Sequence, residues 1–87
     1  MVNKNIYDAG KLEVSNIFTN VTLDMVIRQL LIYPTEDCFV TLNESTKEIF
    51  VPKNMWTPIC VSSYFLCSSF AIKTETTCTA YWQGWVN

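Results

Sequence analysis

Apolar and polar positions along the chain alternate in short runs separated by polar breaks. Lys11–Asn16 sets Leu12 and Val14 against Glu13 and Ser15, the period of a strand covered on one face. Val21–Leu23 resumes that alternation. Further on, Cys38, Val40 and Leu42 oppose Phe39 and Thr41, while Phe70 and Ile72 oppose Ala71 and Lys73. Cys78, Ala80 and Trp82 alternate in the same way with Thr79, Tyr81 and Gln83. Glu48–Val51 reads as a short strand closed by Pro52. Thr57–Val61 carries Ile59 and Val61 inward. Pro58, which has no amide hydrogen to give to a ladder, makes this segment an edge strand. Tyr64–Cys67, bracketed by serine pairs, is a further short apolar segment.

The densest stretch is Val26–Asn43, with apolar runs at Val26–Tyr33 and Cys38–Leu42 around Pro34-Thr35-Glu36-Asp37. A short polar break between β-branched and aromatic runs predicts a hairpin at the centre of a sheet. Leu23, Val26, Ile27, Leu30 and Leu31 also fall at helical spacing, with Thr22 as an N-cap and Pro34 as a stop. A short helix near residues 22–32 is therefore the alternative reading. The strand reading is favoured because Val26, Ile27 and Ile32 are β-branched and both parities are apolar from Leu30 to Tyr33.

Seven to nine short strands at close spacing predict an all-β protein, a compact antiparallel β-sandwich of jelly-roll or Ig-like type. Residues 11–87 form its one domain. Residues 1–10 are polar and unpatterned, an N-terminal arm that either is disordered or lies on a neighbouring subunit through Ile6 and Tyr7. With two glycines in the chain, the turns must lean on Asn, Asp, Ser and Pro.

Composition sharpens this picture. A chain of 87 residues supports one small core and buries only roughly 60–65% of its unfolded surface. Yet it is 49% hydrophobic and 16% charged, which points to surface covered by other chains. The six basic residues are scattered and the net charge is −2, so no nucleic-acid footprint exists. No run approaches the roughly 20 apolar residues of a membrane helix. The N-terminal stretch lacks the apolar core of an export signal, which suggests a chain made and used inside a cell. On that reading, the acceptor-like triplets at Asn20 and Asn43 carry no sugar.

Catalytic chemistry is hard to assemble from these residues. Histidine, the commonest general base, is absent. No glycine-rich phosphate loop or calcium-loop spacing occurs, and only Glu36 and Asp37 are adjacent carboxylates. Cys38, Cys60, Cys67 and Cys78 form no C-x-x-C pair, so neither a metal nor a cofactor is expected. Each cysteine sits in a strand-like run, as reduced core thiols do. A secreted, disulfide-stapled inhibitor is the reading in which they would be bridged.

What remains is aromatic content, concentrated in the second half. Core filling, a subunit interface and a sugar platform compete for it. The interface candidates are Ile6, Tyr7, Trp56, Phe65, Trp82 and Trp85. For a carbohydrate-binding, host-adhesion module, the stacking candidates are Trp56, Trp82 and Trp85. Tyr81 and Trp82 occupy opposite faces of one strand.

The successive runs IRQLLIYPTEDCFVTLN, EIFVPKNMWTPICV and FAIKTETTCTAYWQGW resemble the layout of small β-sandwich virion structural proteins of tailed bacteriophages. The similarity spans Val21 to Trp85. Val51-Pro52-Lys53-Asn54 stands where that family has Pro-Ala-Gly, and Tyr33-Pro34-Thr35 where it has an Asn-rich turn. The resemblance implies a non-enzymatic assembly or decoration module of head, neck or tail, bound to other virion proteins and to copies of itself as a trimer or larger ring. It also implies a location in the virion, and in the host cytoplasm during assembly. It carries over no catalytic residues.

Overall fold

The computed structural model describes residues 7–59 and 66–86. Among them the chain forms eight strands: β1 (Tyr7–Val14), β2 (Thr19–Ile27), β3 (Gln29–Pro34), β4 (Cys38–Leu42), β5 (Ile49–Val51), β6 (Thr57–Pro58), β7 (Cys67–Thr74) and β8 (Cys78–Trp85). They make two four-stranded antiparallel sheets, β1-β8-β3-β6 and β2-β7-β4-β5. The β1–β8, β2–β7, β3–β6 and β4–β5 ladders are those of one long antiparallel ribbon. Folding that ribbon over adds the β3–β8 and β4–β7 ladders. This is the strand order of a jelly roll, which settles the choice between jelly-roll and Ig-like topology. Six of the connections, all but β4–β5, pass from one sheet to the other.

The two apolar runs of Val26–Asn43 do lie at the centre, but not as a hairpin. β3 sits between β8 and β6 in one sheet, and β4 between β7 and β5 in the other. Thr35–Asp37 is an arch between sheets. Its Thr35 N–H donates to the Thr79 carbonyl at 2.9 Å, and Thr35 Oγ1 accepts from Thr79 N–H at 3.0 Å. The inward residues of both strands, Leu30 and Ile32 on one and Cys38 and Val40 on the other, are fully buried. Facing each other across the core covers these side chains in a way that side-by-side pairing would not.

The helix alternative over residues 22–32 is not realised. Leu23 and Ile27 point inward, but Val26 is exposed. Leu31, opposite Gln83, alternates outward between buried Leu30 and Ile32. The helical spacing mixes two strands: Leu23 and Ile27 face inward with the odd parity of β2, the inward parity changes across Arg28, and Leu30 faces inward in β3. Pro58 does lie in an edge strand, β6, beside β3. Strand β1 starts at Tyr7 and pairs along its whole length with β8, so Tyr7–Gly10 belong to the sheet. Ile6, Cys60, Val61 and Tyr64–Phe65 fall outside the described residues, as does the side chain of Tyr7.

Scarce glycine is replaced at the turns as the composition requires. Asn43, Glu44 and Asn54 adopt left-handed backbone conformations. The Asn43 side chain accepts from Ser68 N–H at 2.9 Å and donates to the Leu66 carbonyl at 2.8 Å. This ties the β4–β5 turn to the start of β7.

Phe70 of β7 and Trp82 of β8 meet edge-on between the sheets, with ring centroids 5.5 Å apart and planes at 74°. The Trp82 indole lies over Gly10, its ladder partner on β1. A Cβ at Gly10 would stand 2.5 Å from Trp82 Nε1 and 2.9 Å from Cε2. Gly10→Ala must therefore displace a buried, rigid ring, and a loss of about 1–3 kcal/mol is expected. The urea midpoint of the variant checks this; an unchanged midpoint would show that the indole yields freely.

Candidate aromatic face

The inward position of Trp82 fixes the other parity of β8 as outward. Tyr81 lies opposite Lys11 on β1 and Tyr33 on β3, and these residues cross the outer face of the β1-β8-β3-β6 sheet. Trp56, just before β6, extends this row beyond Tyr33. The Tyr33 and Tyr81 rings are 6.3 Å apart at 61°, and the Tyr33 and Trp56 rings 5.5 Å apart at 56°. Trp56 and Tyr81 are 42% and 40% exposed, and Met55 beside them 52%. The turn carrying Met55 and Trp56 is pinned to the arch and to β3. Asn54 N–H donates to the Pro34 carbonyl at 2.7 Å, and Lys53 N–H donates to Asp37 Oδ1 at 3.0 Å. Trp85, half-buried, alternates onto the same face near its far end, opposite Gln29.

The candidates read from the sequence therefore separate. Trp56 and Trp85 share one outer face. Trp82 does not join them: it is 6% exposed and packed on Phe70, and so is corrected from interface anchor and sugar platform to core residue. Tyr7 pairs opposite Trp85 through its backbone, while Ile6 and Phe65 lie outside the described residues. Tyr33 and Tyr81 are the residues that sequence reading did not select. For Tyr81 the signal was present, since its alternation with Trp82 puts one of the two outside.

The outer face of the other sheet also carries aromatic side chains, with Phe50 53% exposed. Phe39 and Phe50 pair at 5.7 Å, and Lys73 Nζ lies 3.5 Å from Glu48 and 4.9 Å from the centre of the Phe18 ring. At its end, Glu36, Asp37 and Glu75 line an open depression of about 250 Å³ together with Phe39, Phe50 and two threonines. No group of three metal-ligating side chains occurs among the described residues.

Cys38, Cys67 and Cys78 are free thiols. Burial, followed by the neighbouring Cys78 thiol, pushes the Cys38 thiol up to about 12, and burial also raises Cys67. Comparison of the chain with protein-family models, characterised proteins and solved structures finds no match.

Two outcomes are expected. Trp82→Ala should cost about 3–5 kcal/mol in denaturant unfolding, whereas Trp56→Ala and Tyr81→Ala should each cost about 1 kcal/mol or less. Equal losses would contradict the division between core and surface aromatics. The folded state also holds the Cys38 proton beyond the ordinary thiol value of 9.0, up to about 12. Between those values the unfolded chain releases a proton that the folded chain keeps, so stability of the reduced protein falls as pH rises through that window. Urea midpoints taken stepwise in alkali, with reductant present, should decline in the wild type and decline less in Cys38→Ala.

Proposed function

We propose that the protein is a non-enzymatic structural module of a tailed-phage virion. On this reading it docks in symmetric copies, against itself and against other virion proteins, through the aromatic face of the β1-β8-β3-β6 sheet. The observation that carries this is the uncovered row of Tyr81, Tyr33 and Trp56, with Met55 at its end, on the outside of a jelly roll. Tyr and Trp are the side chains most enriched at the energetic centres of protein interfaces, where each can contribute about 2 kcal/mol or more once desolvated. The low charge content of 16% favours the same reading. The virion setting rests on the resemblance of the Val21–Trp85 region to phage structural proteins.

Jelly rolls serve both capsids and lectins, so the fold by itself favours neither assembly nor sugar binding. Ring geometry favours assembly. A pyranose stacks on a flat aromatic shelf, but the Tyr33 plane is inclined by 56° to Trp56 and by 61° to Tyr81. Interlocking with protein side chains suits such tilted rings.

Sedimentation equilibrium of the full chain should give a trimer or larger ring. Trp56→Ala and Tyr81→Ala should each weaken association by about 30-fold or more, the equivalent of about 2 kcal/mol. A wild type that stays monomeric at high concentration, or variants that associate normally, would overturn the proposed face. A glycan-array signal abolished by Trp56→Ala would move the assignment to carbohydrate binding.

A further inference from the structure

Cys38 and Cys78 are the first residues of β4 and β8, strands of opposite sheets that enter the core from the same end. They are separated by 40 positions in the chain, yet their Sγ atoms stand 3.7 Å apart. Both side chains point inward. Cys38 lies opposite Thr74 and Val51, and Cys78 lies opposite Val14, all of them buried. The backbone on either side is held by bonds that do not involve sulfur. Thr74 Oγ1 donates to the Asp37 carbonyl at 2.8 Å, and the reciprocal Thr35–Thr79 pair clamps the arch onto β8. Closing the sulfurs from 3.7 Å to the roughly 2.05 Å of a disulfide therefore calls for small rotations of two side chains between fixed strands.

We propose that Cys38 and Cys78 are a disulfide site, oxidised by exchange with a small-molecule disulfide of the glutathione type to give a covalent bond between the two sheets. Cys78, partly exposed, is the entry point, whereas Cys38 is fully buried. The Cys78 thiol gives its proton to solvent and its sulfur attacks one sulfur of the small disulfide. The bond between the two small-molecule sulfurs breaks, and one small thiol leaves carrying the bonding pair and takes up a proton. Cys38 then loses its proton and attacks Cys78 Sγ, and the second small thiol leaves in the same way. Two protein thiols are oxidised, one small disulfide is reduced to two thiols, and the atoms balance. The burial that makes Cys38 hold its proton makes the second step the slow one at neutral pH. This site is independent of which partner, if any, covers the aromatic face.

The test is incubation of the full chain with oxidised glutathione at about pH 8, followed by non-reducing peptide mapping and thermal unfolding. The expected product has lost two hydrogens and yields a peptide linking Cys38 to Cys78. Its Tm should rise by more than about 10 °C, because the bond closes a long loop in the unfolded chain. Dithiothreitol should return both properties to their starting values. Cys78→Ser, a change at a partly exposed strand end, should abolish the link and the shift. Cys38→Ser should stop the reaction at a glutathione adduct on Cys78. Four free thiols after incubation, a glutathione adduct that persists on wild-type Cys78, or the same Tm rise in Cys78→Ser would each overturn the assignment.

Discussion

The contact on which the remaining structure depends is the edge-on meeting of Phe70 and Trp82 between the sheets. It lies where the two longest internal strands, β7 and β8, cross the middle of the molecule, and it fixes the parity of both. Side chains of a strand alternate with a period of two, so a slip of one residue would exchange every inward position for an outward one. Seating Trp82 inward requires a ladder partner without a side chain, and Gly10 supplies it. Once that parity holds, the register carries it outward. Tyr81 must emerge on the far face, and its partners Lys11 and Tyr33 must emerge beside it. The surface aromatic row is thus a by-product of how the core is packed.

Much of the framework was legible in the chain. Alternation at Phe70–Thr74 and Cys78–Gln83 marks β7 and β8, and alternation at Lys11–Asn16 marks only the second half of β1, whose first half, Tyr7–Gly10, falls in the stretch read as an arm. Pro58 marks an edge for the reason that any proline would: it cannot donate to a ladder. Local pattern was silent about partners. It identified the Leu30–Tyr33 and Cys38–Leu42 runs as central, but whether they lie side by side or face each other depends on β8 taking the free edge of β3. That pairing joins residues such as Tyr33 and Tyr81, which are far apart in sequence. The same blindness explains Trp82. Its opposition to Tyr81 could be read from alternation, but which of the two faces the core could not, since that depends on Phe70 and Gly10.

The surplus of apolar residues also resolves into a definite distribution. One outer face carries Tyr33, Tyr81 and Trp56 together with the exposed Lys11 and Glu13 of β1. The other carries Lys73, shared between the Glu48 carboxylate and the Phe18 ring. An exposed ion pair of this kind contributes about 0–1 kcal/mol, so its effect is to keep that face wetted rather than to hold the fold together. Phe39 and Phe50 share that face, with Phe50 53% exposed, so both outer faces of the sandwich present aromatic surface.

The nesting of the ladders, outermost strand with outermost and innermost with innermost, has a consequence for how the molecule comes into being. Of the described strands, Tyr7–Val14 is made first and must wait for Cys78–Trp85, the last, before a neighbour exists for it. Thr19–Ile27 waits almost as long for Cys67–Thr74. Only the innermost pair, Cys38–Leu42 with Ile49–Val51, meets soon after synthesis. Such a topology closes loops of high entropic cost before most of its contacts form. The pairing of Tyr7–Val14 with Cys78–Trp85 therefore closes the longest loop among the described strands, at the largest entropic cost.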